Sequence, residues 1–387
     1  MPWLFDPDGR HVAPPDPKHY EPCWCFSGKK FKACHMLRHQ AAPPAIPDAL
    51  GAWQAAQMRP VCLAPGAPTG CSGKVVDCHF IQRRGGGLQA IARDGKVYGF
   101  KFHPMFFIKK QGRHAPELVG IGTAGTAPLF CGPHDRELFR QAETKSFAPT
   151  SRQLLEMNYR TVACRVYTNE ATVPQMTQLY DADGGMSRDE QRRHFIAVEA
   201  LRQESEFYLQ NIRILKQQYD MWLVADHGGV NALVLRFLGR PELMCASIVY
   251  AIMDFHGVSI PPGGGTAHLC FYTVANADAV TFVYSWIGSN VGAEHLCSSL
   301  LSLPEDERAS ALVHYALEYI DSSYFQPDWW ESLAPDVQES VISRLSAHAR
   351  PFREHASDAL VVNKTRASNL RSTGYEVIGR WRPNIQF

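Results

Sequence analysis

Apolar residues recur with clear periodicity in the back part of the chain. From about residue 151 they return every three to four positions, which predicts a helix. A second apolar stripe, from Phe195 to Tyr219, predicts one long amphipathic helix. Ser187 and Glu190 have capping-box spacing, so we expect this helix to begin at about residue 187. It could brace a domain, follow a nucleic acid, or mediate oligomerisation through residues 187–219.

Strand patterns follow between residues 221 and 290. Two apolar runs, 268–275 and 279–286, flank an Asn-Ala-Asp turn and predict a β-hairpin. Helical patterns return at 304–320 and 335–349. The front part contains one strand-like run at 74–80 and an alternating run at 97–103. These patterns predict an α+β fold class.

Length and composition narrow the class of protein. A chain of 387 residues that is 45% hydrophobic predicts two or three domains with substantial cores. No apolar stretch approaches the length of a membrane span, and the opening residues lack the pattern of a secretory signal. Eleven cysteines in such a chain favour metal binding or burial over disulfides. We therefore expect a cytoplasmic protein, bacterial in origin, with no membrane partner.

The net charge of +1 conceals an asymmetry between the two parts of the chain. Residues 1–160 contain 21 Lys and Arg against 12 Asp and Glu, whereas the remainder contains 18 against 26. A basic front part suits contact with phosphate groups. The same surplus could instead serve solubility or docking onto the acidic back part.

Three cysteines and a histidine lie within thirteen residues near the start of the chain. Cys23 and Cys25 form a C-x-C step, and Cys34 and His35 are adjacent after a Ser-Gly-Lys-Lys turn. This spacing can bring three sulfurs and one ring nitrogen to a single ion. A mixed set of this kind suits tetrahedral zinc. Four free thiol and imidazole groups in a loop are the alternative.

The segment 21–36 resembles the SEC-C motif, the small zinc hook named from the C-terminus of SecA. The resemblance is carried by C-x-C-x8-C-H with Ser-Gly-Lys-Lys-Phe inside it. The chain departs from the common pattern at Phe26 and at Met36, where glycine is frequent. The resemblance implies a zinc-stabilised adaptor that contacts protein or nucleic acid, and it implies no reaction.

A second group of cysteines and histidines lies between residues 62 and 135. Cys131 and His134 form a C-x2-H knuckle, and Cys62 and Cys71 are the nearest candidates for the other two ligands. We predict that these four residues bind a second zinc ion. The segment around them is interpreted as a treble-clef or HNH-like zinc finger.

The order of elements in this segment is similar to the ββα-metal layout of HNH nucleases. That resemblance implies His79 as general base and Asp77 as its orienting residue or a ligand of Mg²⁺ or Mn²⁺, with Asp135 as a further ligand. No asparagine occurs from 81 to 130, so the middle residue of the usual triad is absent. The alternative is a structural finger in which His79 is a zinc ligand or a hydrogen-bonded buried histidine.

Basic residues with aromatic residues among them indicate nucleic-acid contact. The candidates lie in the hook and after the predicted strand 74–80: Lys29, Lys30, Arg83, Arg84, Lys109 and Lys110.

These interpretations predict three parts: a zinc hook at 1–45, a second zinc-finger module at 46–150 and an α+β domain at 151–387. The favoured function is a zinc-binding protein whose basic part docks nucleic acid or a protein partner. The alternatives are an HNH-like metal-dependent nuclease, which could act in defence, and a non-catalytic adaptor whose acidic part binds other proteins.

Overall fold

The computed structural model of the chain describes residues 16–42, 51, 55–71, 73–83, 86–100, 115–225, 229–250, 252–260, 268–276, 278–347 and 368–383. Among these residues the helices, in chain order, are α1 (Gly132–Leu138), α2 (Arg140–Thr144), α3 (Ser151–Thr172), α4 (Arg188–Val224), α5 (Val291–Ser302), α6 (Arg308–Tyr319), α7 (Pro327–Ser332) and α8 (Pro335–Ala347). The strands are β1 (Val75–His79), β2 (Lys96–Gly99), β3 (Glu117–Gly120), β4 (Thr126–Cys131), β5 (Val230–Leu238), β6 (Leu243–Tyr250), β7 (His268–Ala275), β8 (Ala279–Ile287), β9 (Ser323–Phe325) and β10 (Arg371–Ile378). The α+β class is confirmed.

The chain divides into two compact units. The first comprises residues 1–59 and 168–210, and the second comprises 60–167 and 211–387. The predicted boundaries at 45 and 150 differ from this division, because the first unit combines the start of the chain with a segment far along it. A sequence pattern gives no sign of such an association.

The first unit is built on short helical turns and the beginning of α4. It has helical turns of the 3₁₀ type: two single turns, Phe31–Ala33 and Arg38–Gln40, and a longer stretch, Val173–Asp183. Its small core joins Cys23, Trp24 and Phe31 to Phe195 and Ile196 of α4. Cys25, Cys34, Met36 and Tyr180 pack against this core and are themselves partly buried.

The capping box at the start of α4 is confirmed. The Ser187 amide donates to Glu190 Oε2 at 2.8 Å, and the Glu190 amide donates to Ser187 Oγ at 3.4 Å. The predicted stripe has seven positions, of which Leu201 is half-buried and the other six are buried: Phe195, Val198, Leu209, Ile212, Leu215 and Tyr219. The helix continues past Tyr219 to Val224, since Leu223 extends the buried stripe by one more turn. A role of this helix in oligomerisation stays a prediction.

The second unit contains a two-stranded sheet and an eight-stranded antiparallel sheet. The order in the larger sheet is β10-β5-β8-β7-β6-β9-β2-β3. The predicted hairpin is confirmed as β7 and β8, with Cys270 opposite Ser285 and Phe271 opposite Tyr284. Strands β2 and β3 come from the front part of the chain and join the same sheet as the back strands.

Helices cover both faces of the larger sheet at its centre. Asn158 of α3 donates to Ser285 Oγ at 2.8 Å on one face. On the other face, the Tyr315 ring of α6 contacts the rings of Phe271 and Tyr284, with centroids 5.2 and 5.3 Å apart. Neighbouring strand residues point to opposite faces, so the two contacts place helices on both sides. Every residue of β7 is buried as a result.

No helix in the described part of the chain combines the length and apolar character that crossing a membrane requires.

Candidate metal centres

The first cluster brings together the four residues of the hook. The ligand atoms of Cys23, Cys25, Cys34 and His35 all lie within 4.8 Å of one another. His35 Nδ1 is 3.2 Å from both Cys23 Sγ and Cys34 Sγ, and Cys25 Sγ is 3.5 Å from Cys34 Sγ. Zinc bond lengths of about 2.0 to 2.3 Å place tetrahedral ligands about 3.5 to 3.8 Å apart, so the cluster is close to that size.

Backbone hydrogen bonds of a tight turn set the positions of the sulfurs. The Cys23 amide donates to the Lys29 carbonyl at 2.9 Å, and Phe26 lies in the left-handed region with φ of 56°. The left-handed conformation explains why glycine is frequent at this position of the motif. Gly28, with φ of 74°, supplies the second left-handed residue of the turn.

Burial and stacking hold the histidine of the first cluster. His35 is 6% exposed, and its ring lies 4.2 Å from the Trp24 ring, centroid to centroid. Its Nε2 atom is 2.9 Å from Asp183 Oδ2. Although burial opposes the charged form, hydrogen bonds to Asp183, Cys25 and Cys34 raise the pKa of His35 to about 11 in the metal-free cluster. A bound cation would take the place of that proton.

Hydrogen bonds among the thiols of the first cluster shift the pKa values of Cys23 and Cys25 in opposite directions, and the bond to Cys25 raises the pKa of Cys23. Hydrogen bonds from Cys23 and Cys34 lower the pKa of the Cys25 thiol, which outweighs its partial burial. Ser27 Oγ lies 3.2 Å from Cys25 Sγ and 3.3 Å from Cys34 Sγ. The cluster is thus prepared for a positive ion at its centre.

The second cluster assembles residues that are far apart in the sequence. Cys62, Cys71, Cys131 and His134 also place their ligand atoms within 4.8 Å of one another. His134 Nδ1 is 3.4 Å from Cys62 Sγ, 3.6 Å from Cys71 Sγ and 3.2 Å from Cys131 Sγ. This is the ligand set that the sequence predicted for a second ion.

Two strands and a helix position the second cluster. Strand β1 pairs antiparallel with β4. Cys131 ends β4 and occupies the N-cap position of α1, which carries His134 in its first turn. The loop with Cys62 lies against β4, since the Val61 and Leu63 amides donate to the Pro128 and Leu129 carbonyls. A tight approach to Pro133 leaves no space for a side chain at Gly73.

The candidate catalytic residues lie outside both clusters. His79 ends β1, and its Nε2 atom is 3.0 Å from the Ile121 carbonyl oxygen. Asp77 is exposed on the same strand and Asp135 is half-buried in α1. Burial and the neighbouring Asp135 raise the pKa of Cys78 to about 12, so this thiol remains protonated. Among the described residues, these side chains form no further group of metal ligands.

The predicted nucleic-acid contacts are distributed between the units. Lys29 and Lys30 are exposed in the first unit, and Arg83 is exposed in the second. Arg84, Lys109 and Lys110 lie outside the described residues. Arg93 follows the same basic pattern, but it pairs with Asp328 at 2.8 Å and with Glu331 at 2.6 Å. Part of the basic surplus therefore binds acidic residues of the same unit.

Two contributors were missed in the sequence. Buried Asp183 forms an ion pair with half-buried Arg38, although the two lie 145 residues apart. Tyr20 is 68% exposed, with Lys32 Nζ 4.2 Å from its ring centroid. Nothing in the local pattern indicates the first contact, whereas the position of Tyr20, close in sequence to Lys29, Lys30 and Lys32, is a signal for the second.

Comparison with known families supports the first centre. A family model of the SEC-C motif matches residues 21–37. The match and the geometry identify the hook as a SEC-C motif, and both clusters fit zinc-binding modules. No curated protein and no solved structure matches the chain.

Proposed function

We propose that each cluster holds one structural zinc ion, which gives two ions per chain. Three sulfurs and one imidazole nitrogen form the donor set in both clusters, and soft donors of this kind favour zinc over magnesium or calcium. Four protein ligands fill a tetrahedral shell and leave no position for a substrate or water. The two ions would therefore stabilise the chain and take no part in a reaction.

We further propose that the hook presents a surface for single-stranded nucleic acid. The observation that carries this proposal is the exposed Tyr20 ring beside two cations: Lys32 Nζ lies 4.2 Å and Lys30 Nζ 5.9 Å from the ring centroid. Lys29 is exposed on the same short segment. An aromatic ring can stack on a base while lysines contact the adjacent phosphates.

This surface favours a nucleic acid over an acidic protein. Lysines alone would suit either partner, but a solvent-exposed ring among them offers stacking energy of about 1 to 3 kcal/mol per base. The remaining residues of the hook explain why the ring stays in place. The Lys32 amide donates to the His19 carbonyl at 3.0 Å, and the Phe31 amide donates to the Glu21 carbonyl at 2.9 Å.

Binding to a labelled single-stranded oligonucleotide at several salt concentrations tests the proposal. Replacing Lys29, Lys30 and Lys32 with serine should weaken binding and reduce the salt slope by about 2, since each phosphate contact contributes about 0.7 on single strands. Tyr20→Ala should weaken binding about tenfold or more with little change in the slope.

Lys145→Ser is the control for charge, because Lys145 is exposed in the other unit. It should leave the affinity near that of the wild type. Binding that is absent in the wild-type protein, or equally reduced by Lys145→Ser, would contradict the proposed surface. Salt-sensitive capture of an acidic protein with no oligonucleotide binding would favour a protein as the partner of the basic part.

A metal-dependent nuclease remains the second candidate. The observation in its favour is the order of β1, β4 and α1, with His79 at the end of the first of these strands. Its test is plasmid cleavage with Mg²⁺ or Mn²⁺ by the wild type and by His79→Ala. Activity that His79→Ala abolishes, with zinc content unchanged, would support this candidate, and no cleavage by the wild type would oppose it.

A further inference from the structure

Asp183 makes a contact to the first cluster from outside the motif. Its side chain is 1% exposed, and Asp183 Oδ2 lies 2.9 Å from His35 Nε2. The other ring nitrogen, Nδ1, lies 3.2 Å from Cys23 Sγ and from Cys34 Sγ. The imidazole therefore bridges a buried carboxylate and the sulfur cluster.

Arg38 fixes the orientation of this carboxylate. Asp183 Oδ1 accepts from Arg38 Nε, while Arg38 Nη2 donates to Asp181 at 2.8 Å. Each oxygen of Asp183 thus has its own partner, and Oδ2 is directed at His35. A buried carboxylate is stable only when it is paired, so Asp183 depends on both Arg38 and His35 for its hydrogen bonds.

We propose that Asp183 is a positioning residue for the first metal centre, which orients His35 so that Nδ1 faces the ion. Histidines that bind metal commonly donate their second N–H to a carboxylate, which fixes the tautomer and strengthens the ligand. The inference rests on the proposed binding of zinc by this cluster. It extends the centre beyond the motif to the 3₁₀ stretch Val173–Asp183.

The first test compares Asp183→Asn with Asp181→Asn in the full chain. Zinc affinity is measured by competition with a chromophoric chelator, in a Cys71→Ser background that removes the second site. Asp183→Asn should lower the affinity about 10- to 100-fold. Asp181→Asn should change it less than about threefold, because Asp181 is exposed and contacts Arg38 without contacting His35.

A second background separates positioning from general support of the fold. In His35→Cys the fourth ligand is a thiolate, which has no second nitrogen to orient. Asp183→Asn should then have no effect on zinc affinity. An equal loss in both backgrounds would overturn the inference, because Asp183 would then act only through Arg38. A wild-type hook that binds no zinc would instead contradict the proposed function.

If His35→Cys binds no metal, hydrogen exchange distinguishes positioning of His35 from general support of the fold. Weaker zinc binding by Asp183→Asn with unchanged protection of residues 173–186 in the metal-free protein supports positioning. A parallel loss of protection and affinity overturns it, since the substitution would then have unfolded the stretch that carries Asp183.

Discussion

The two clusters share a ligand set but differ in how the chain assembles them. The first takes its four ligands from the thirteen residues from Cys23 to His35, a segment whose one helical element is the 3₁₀ turn Phe31–Ala33. The second spans residues 62–134 and depends on the pairing of β1 with β4. In the first, the ion would replace secondary structure. In the second, it would fasten a loop to a hairpin and helix that have their own hydrogen bonds and core.

The largest effect is expected from Cys23→Ser. The side chain is 3% exposed and belongs to both the ligand cluster and the small core around Trp24 and Phe31. Apparent zinc binding to such sites contributes about 10 kcal/mol or more to folding, so residues 18–41 should lose hydrogen-exchange protection. Zinc content should fall from two ions to one. Cys164→Ser, which lies outside both clusters, should leave both ions bound, and retention of two ions by Cys23→Ser would contradict the assignment.

Cys71→Ser should have a smaller and more local effect. It should also remove one zinc ion, but the loop stays attached through backbone bonds from Val61 and Leu63 to β4. The buried rings of Phe130, Phe139 and Tyr159 beneath β4 and α1 do not involve the ion. We expect loss of protection confined to residues 60–74, with the larger sheet unchanged. Unfolding of that sheet on metal removal would show that the two centres do not differ in the way proposed.

Acid should destabilise the first unit by protonating the buried carboxylate of Glu199. Although burial opposes it, hydrogen bonds from Arg202, Tyr180 and Gln203 lower the pKa of Glu199 to about 2. Because this value lies below the usual one, the stabilisation is present above about pH 4.5 and is lost as the pH falls towards 2. Far-ultraviolet circular dichroism of the metal-free protein, which reports helix content including that of α4, should show this loss, and Glu199→Gln should flatten the profile. An identical profile in both proteins would exclude Glu199 as the cause.

The same contrast explains what could be predicted from the sequence. The hook is predictable because its ligands and turn residues are close together in the sequence. The long helix is predictable because its apolar stripe is periodic and its capping box lies within four residues. The four residues of the second site could be named from their chemistry. The pairing of β1 with β4, the strands β2 and β3 in the larger sheet, and the contact of Asp183 with His35 depend on chain segments that meet only in the folded protein. No local propensity specifies such contacts.

The smallest effects concern the turn inside the hook, where Phe26 and Gly28 provide a matched pair. Both adopt positive φ, so Gly28→Ala introduces a strained side chain into open space and should destabilise the zinc-bound hook by about 1 kcal/mol. Phe26→Gly removes that strain but also removes the ring, whose centroid lies 6.3 Å from that of Phe195. The gain and the loss should nearly cancel, to within about 0.5 kcal/mol. Thermal unfolding of the zinc-bound protein measures both. A large destabilisation by Phe26→Gly would mean that packing on α4, more than the bound ion, determines the conformation of the hook.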